Sequence, residues 1–258
     1  MPGLLAGRKI LILGVANKRS IAWASALAAK REGADLFLTY QGDRIKEGVL
    51  ELAASVPGTL TGPCDATDEA SLAALFAEVK AKWGKLDGMV HSIAFAPAAD
   101  LEGAFVNTSR EGFKTAMDVS AYTLVALCRH ALPLFQAAGG GAVTAYTYLG
   151  SERAVPAYNV MGAAKAALES SVRYLASEMG PSKVRVNAIS PGPLNTLSAR
   201  GVSGFTKILD VVKERAPLRR NIEASEVGDT TVFMLSDWSR GITGELIHVD
   251  AGFHAMGL

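Results

Sequence analysis

The chain has 258 residues, 49% of them hydrophobic and 20% charged, with a formal net charge of +1. It is long enough for one large apolar core and too apolar for disorder, and its near-zero charge supplies no field for a polyanion, so no nucleic-acid partner is expected. Cys64 and Cys128 are the only cysteines, which argues against a disulfide scaffold and a cysteine-based zinc site, leaves no metal expected, and fits a reducing, cytoplasmic compartment.

Arg8 and Lys9 precede an apolar run that stops at Asn17, so no signal peptide is read there. Charge breaks every later apolar run well before bilayer length, and no membrane partner is expected. Short apolar runs then alternate with longer helical patterns, the signature of β–α units around a parallel sheet. The spacing predicts a strand at Lys9–Leu13, a helix over Ile21–Arg31 and a second strand at Asp35–Thr39. A helix over about Arg44–Ser55, a short strand at Thr59–Gly62 and a helix capped by Asp68 and ended by Gly84 follow. Leu86–Ser92 reads as the fourth strand. One helix is expected over about Arg110–Gln136, broken by Gly139-Gly140-Gly141 before a fifth strand at Ala142–Thr147. A helix over about Tyr158–Met179 and a sixth strand at Val184–Ile189 come next. An irregular stretch to about Arg220, a helix over Ala224–Leu235 and a last strand at Glu245–Val249 complete the pattern. The expected fold is a single α/β domain, a Rossmann-like doubly wound parallel sheet of about seven strands with helices on both faces.

In such sheets a ligand binds outside the carboxyl ends of the strands, near the switch in strand order. The turn after the first strand runs from Gly14 to Ile21. Gly14 permits a tight turn, and Ser20 is placed to cap a helix whose free N–H groups suit a pyrophosphate. The G-x-G-x-x-G spacing is absent, so an ordinary capping loop competes evenly with a phosphate site. Gln41, after the second strand, is neutral; it neither requires a ribose hydroxyl nor repels a ribose phosphate, and cofactor choice stays open. Asp65 can accept from an adenine amine or simply form an Asx turn before Asp68.

Three residues mark the reacting end: Tyr148, just past the fifth strand, and Tyr158 and Lys165, seven apart on one expected helix. Seven residues are two turns, which places the last two on one face. An ammonium beside a phenol favours partial negative charge on the phenol oxygen and can donate to ribose hydroxyls, while the phenol donates to an oxyanion. For an arbitrary helix, a half-buried tyrosine and a surface lysine is the commoner meaning; their position at the ligand edge of the sheet favours chemistry.

Gly14 to Ile21, His91-Ser92-Ile93-Ala94-Phe95-Ala96-Pro97 and the run from Tyr148 to Gly162 resemble the NADH-dependent enoyl-(acyl-carrier-protein) reductases of bacterial fatty acid synthesis, a divergent branch of the short-chain dehydrogenase/reductase superfamily. The similarity continues through Arg185 to Ser190 and His248-Val249-Asp250 and covers nearly the whole chain. Its most specific part is the spacing Tyr158, Met161, Lys165. Carbonyl-reducing members place the tyrosine where Met161 stands and a serine where Tyr148 stands. The resemblance implies that Gly14, Ser20 and Ile21 surround the pyrophosphate, Gln41 the adenosine ribose, and Asp65 and Ala66 the adenine. It further implies that Ile93 lies along the cofactor, that Lys165 binds the nicotinamide ribose, and that Leu194, Asn195, Thr196, Leu197 and Ser198 close over nicotinamide and phosphates. Ala96 would touch the substrate, Tyr158 the thioester carbonyl, and Tyr148 the acyl chain. The implied cofactor is NADH, with NADPH left open, and the implied partners are an acyl carrier protein bearing the enoyl chain and three further copies in a homotetramer.

Residues from about 193 to 220 carry Leu194, Leu197, Val202, Phe205 and Ile208 and read either as two ordinary helices or, preferred here, as a substrate lid. Arg200, Lys207 and Lys213 are candidate contacts for an acidic carrier protein. The rival functions are a short-chain carbonyl or hydroxyl dehydrogenase, disfavoured by Met161 and Tyr148, and a non-catalytic dinucleotide-binding protein, disfavoured by Tyr158 and Lys165.

Overall fold

A computed structural model describes residues 2–196 and 205–257. Seven parallel strands form one sheet in the order β3-β2-β1-β4-β5-β6-β7. They are β1 (Lys9–Leu13), β2 (Asp35–Tyr40), β3 (Leu60–Pro63), β4 (Gly88–His91), β5 (Gly141–Tyr146), β6 (Val184–Pro191) and β7 (Leu246–Val249). Because side chains alternate across a strand, neighbouring residues of β1 feed different cores. Ile10 and Ile12 join the core under α1 (Ile21–Arg31), α2 (Asp43–Ala54), α7 (Phe205–Arg215) and α8 (Ala224–Leu235). Leu11 and Leu13 join the opposite core, under α3 (Glu69–Trp83), α5 (Thr123–Ala138) and α6 (Val160–Met179). Both faces are covered, which is why the strands read as unbroken apolar runs.

The expected doubly wound sheet is the fold observed, and the bounds of β1, α1 and α8 coincide with those read from the sequence. Three expectations are corrected. The long middle helix is divided into α4 (Arg110–Met117), a π-helical turn at Asp118–Tyr122, and α5. Periodicity near 3.6 residues does not register a single wide turn, so the break was invisible in the apolar pattern. The sixth helix starts at Val160, not Tyr158, because Asn159 at its N-cap has φ 40° and ψ −122°. Tyr158 therefore stands in the turn ahead of the helix. Within the stretch expected to be irregular, α7 is regular, and its Val212 and the following Ala216 are buried in the core under α1 and α8. No helix among the described residues is long and apolar enough to cross a membrane.

Candidate active site

The sheet order reverses between β1 and β4, and their register pairs Leu13 with His91, while β5 pairs Ala145 with the same His91. The three strands thus end level, and their loops converge. Gly14 has φ +90°, and a Cβ there would lie 2.0 Å from the Ser92 carbonyl oxygen, so glycine is what lets the two loops touch. Ser20 caps α1: its Oγ accepts from the Trp23 N–H at 3.4 Å and donates to the Asn17 carbonyl at 2.7 Å. The helix N-terminus therefore points its dipole into the cleft that opens here. That cleft has a volume of about 520 Å³ and runs from Gly14 and Ser20 past Ile93 and Ala96 to Tyr148, Tyr158 and Lys165.

Lys165 is buried, 5% exposed, and its Nζ donates to the Tyr146 carbonyl oxygen at 2.7 Å. Loss of water pushes its ammonium down to about 8, with partial compensation from the Glu169 carboxylate. The Tyr146 side chain faces the other core, where its hydroxyl bonds Ser25 Oγ at 2.5 Å and Thr231 Oγ1 at 2.8 Å. Burial pushes that phenol up to about 12, so it is a structural donor that anchors the end of β5.

The rings of Tyr148 and Tyr158 meet edge to face, with centroids 4.8 Å apart and planes at 61°. Burial first, then the Tyr148 phenol and the Glu169 carboxylate, push the Tyr158 phenol far above the ordinary tyrosine range. Burial also raises Tyr148. Both phenols are therefore neutral donors at neutral pH. The sequence reading, in which the ammonium draws negative charge onto the Tyr158 oxygen, is not supported: the groups that shift this phenol are its burial, Tyr148 and Glu169, and all of them raise it.

The turn that carries Tyr158 is strained on both sides, with φ +61° at Ala157 and +40° at Asn159. Two anchors hold it. Asn159 Nδ2 donates to the carbonyls of Leu101 at 3.1 Å and Gly103 at 3.2 Å. The ring itself lies against Gly150, where a Cβ would stand 2.3 Å from Tyr158 Cδ1. The π-helical turn has a matching use, because it brings buried Ser120 to the Phe95 backbone. Ser120 Oγ accepts from the Phe95 N–H at 3.0 Å and donates to its carbonyl at 3.1 Å, fixing the loop that bears Ile93 and Ala96. Beside it, His91 is fully buried with Nε2 at 2.9 Å from Thr123 Oγ1. Burial and the Lys165 charge push it down to about 3, so it is neutral.

Of the residues singled out from sequence, Gly14, Ser20, Ile21, Ile93, Ala96, Tyr148, Tyr158, Lys165, Leu194 and Thr196 line this one cleft. Gln41, Asp65 and Ala66 lie beyond it, at the carboxyl ends of β2 and β3, and Asn195 is not among the lining residues. Asp65 makes the Asx turn weighed above, accepting from Thr67 N at 2.9 Å and Thr67 Oγ1 at 2.7 Å, and it is also bonded to the Gln41 side chain. Leu197 and Ser198 fall outside the described residues. Sequence reasoning missed Asn17, Thr147 and Val155 as lining groups, and it used Met161 only as a spacing argument although its side chain faces the cleft and reaches Ser120 Oγ at 3.7 Å.

A family model described as "Enoyl-(Acyl carrier protein) reductase" matches residues 14–254. The chain is 50% identical to the NADH enoyl-(acyl-carrier-protein) reductase FabI of Bacillus cereus, over 98% of this chain and 99% of that protein. Its identity to the Escherichia coli K12 FabI is 48%, covering 97% and 95%. Among solved structures, the Bacillus cereus enoyl-acyl carrier protein reductase with NADP+ and indole naphthyridinone superposes with a TM-score of 0.97 at 50% identity, covering 99% of this chain and all of that one. The NADH enzyme of Aquifex aeolicus gives a TM-score of 0.96 at 46% identity, over 99% and 100%.

Proposed function

The chain belongs to the enoyl-(acyl carrier protein) reductase family, and from that premise we propose the division of labour in its cleft. The protein is an oxidoreductase that uses NADH to reduce the carbon–carbon double bond of a trans-2-enoyl thioester to the saturated acyl thioester. One observation carries the assignment of roles: two neutral phenols in edge-to-face contact share a cleft with a buried ammonium and the N-terminus of α1.

The cleft fits a dinucleotide. The α1 N-terminus and Ser20 suit the pyrophosphate, Ile21 and Ile93 supply apolar walls, and Lys165 can donate to the nicotinamide ribose. Gln41, Asp65 and Ala66, on the neighbouring strand ends, are placed for the adenosine half. When bound, the dinucleotide supplies hydride chemistry at the substrate's β carbon. The chain's own task is at the thioester oxygen, where negative charge collects as the double bond is reduced. Tyr158 donates to that oxygen, a preorganised contact worth about 3 kcal/mol in reactions of this kind. Tyr148 packs on the Tyr158 ring and limits where the acyl chain lies. Ala96 leaves room beside the reacting carbons.

Residues of about 193–220, of which 197–204 lie outside the described residues, act as a lid, a reading supported by Leu194 and Ile208 lining the cleft. The acyl chain arrives on a carrier protein, the enzyme works as a homotetramer in the cytoplasm, and sedimentation and cell fractionation test the last two statements. The primary test is loss of NADH absorbance with a crotonyl thioester, run in parallel with NADPH. Oxidation of simple alcohols with no enoyl reduction would instead favour a carbonyl dehydrogenase.

A further inference from the structure

Glu169 is 8% exposed, lies one helical turn beyond Lys165 on α6, and has no part in the chemistry above. Its Oε1 accepts from Thr147 Oγ1 and from Ser151 Oγ, each at 2.5 Å. Those two hydroxyls stand on either side of Tyr148, and Ser151 Oγ also reaches the Tyr148 carbonyl at 2.9 Å. One carboxylate therefore ties both ends of the segment bearing Tyr148 to the helix bearing Lys165. Accepting two hydroxyl hydrogens needs only a neutral amide, and burying a carboxylate costs far more unless its charge is matched. The Lys165 ammonium lies one turn back on the same helix face, not in direct contact with the carboxylate but near enough for its charge to act through space.

Resting on the reaction proposed above, we propose that Glu169 is a positioning residue that holds the Lys165 ammonium charged inside the cleft while its two hydroxyl contacts keep Tyr148 in place. The groups around that ammonium are Glu169 on its own helix, His91 at the end of β4 and the Tyr146 carbonyl on β5 that accepts from it, while Tyr148 and Tyr158 line the same cleft. His91 is held neutral by burial and both phenols are held protonated, so among the titratable groups Glu169 is the one whose charge opposes the desolvation of Lys165.

The test separates charge from packing. Glu169→Gln keeps an acceptor for Thr147 and Ser151 and removes the charge; Glu169→Asp keeps the charge and lengthens the contacts. NADH binding is followed by fluorescence across pH for both variants and the wild type, with melting curves as a fold control. In the Gln variant the alkaline limb of binding moves down by about one pH unit, with affinity about tenfold weaker above it. In the Asp variant the limb stays at the wild-type position while turnover falls. A Gln variant with an unmoved limb, or an Asp variant whose limb moves equally far, overturns the inference. If the Gln variant does not fold, Glu169→Met, which also removes the charge, takes its place, and an unmoved limb there overturns the inference. Because the readout is binding, a wild-type protein that binds NADH yet leaves a crotonyl thioester unreduced would sink the proposed reaction and leave this inference standing.

Discussion

Withdrawal from water disfavours the charged form of any titratable group, and in this cleft that one effect acts on an acid and a base together. It lifts Tyr158 out of the range where a phenol ionises and brings Lys165 down to about 8. The phenol is thereby kept as a donor, and the ammonium becomes sensitive to mild alkali. If Tyr158 stabilises charge that appears only in the transition state, Tyr158→Phe lowers kcat about 100-fold and leaves NADH affinity within about twofold. Steady-state kinetics beside a fluorescence titration would show it; equal turnover in the two proteins removes the oxyanion role. The sign of the lysine effect is also set. A group whose folded value lies below its ordinary one loses its charge as pH rises through the lowered value, so NADH binding weakens as pH passes about 8. A flat affinity from neutrality into the alkaline range would show that the Lys165 charge is not used.

Between β5 and α6 the backbone does work that no single side chain explains. The ring of Tyr158 rests on Gly150, and the turn around it is held in left-handed conformations at Ala157 and Asn159 by amide contacts to Leu101 and Gly103. Gly150→Ala leaves the local fold possible but puts a methyl group 2.3 Å from the ring, which must move. A misplaced donor loses most of its value, so kcat falls at least about tenfold with little change in NADH affinity. A double-mutant cycle checks the cause: adding Tyr158→Phe to Gly150→Ala costs much less than it does alone. Additive losses would mean that Gly150 acts elsewhere. The π-helical turn plays the same part for the loop after β4, where Ser120 holds Phe95 by both of its backbone polar groups.

Seen across the domain, the sheet is a frame that brings β1, β4 and β5 to a common edge, and the two cores on its faces hold that edge rigid. The binding of a carrier-borne substrate depends on what rims the cleft. Lys207 is exposed on α7, next to Ile208, which lines it. Lys207→Glu raises KM several-fold for the carrier-bound substrate and spares the coenzyme A thioester, because only the carrier presents an extended acidic surface. Equal effects on both substrates would show that the lysine does not meet the carrier.

Much of this architecture was readable in the residue order. Strands buried on both faces must be apolar throughout, and amphipathic helices must repeat near every 3.6 residues, so each apolar run announced its element and the alternation announced a parallel sheet. Gly14, Ser20 and Tyr148 could be placed at the ligand edge because they follow a strand or begin a helix, and Lys165 because it lies two turns from Tyr158 on one expected helix. What stayed hidden depends on partners far away in sequence. Tyr158 leaves its expected helix because Asn159 bonds carbonyls more than fifty positions earlier. Ser120 matters because a wide turn swings it to Phe95, and Glu169 matters because Thr147 and Ser151 close on it from another element. Periodicity is a property of neighbours along the chain. Protonation states and ring positions are set by whatever the fold excludes from water around them, and that is known only once distant segments have packed.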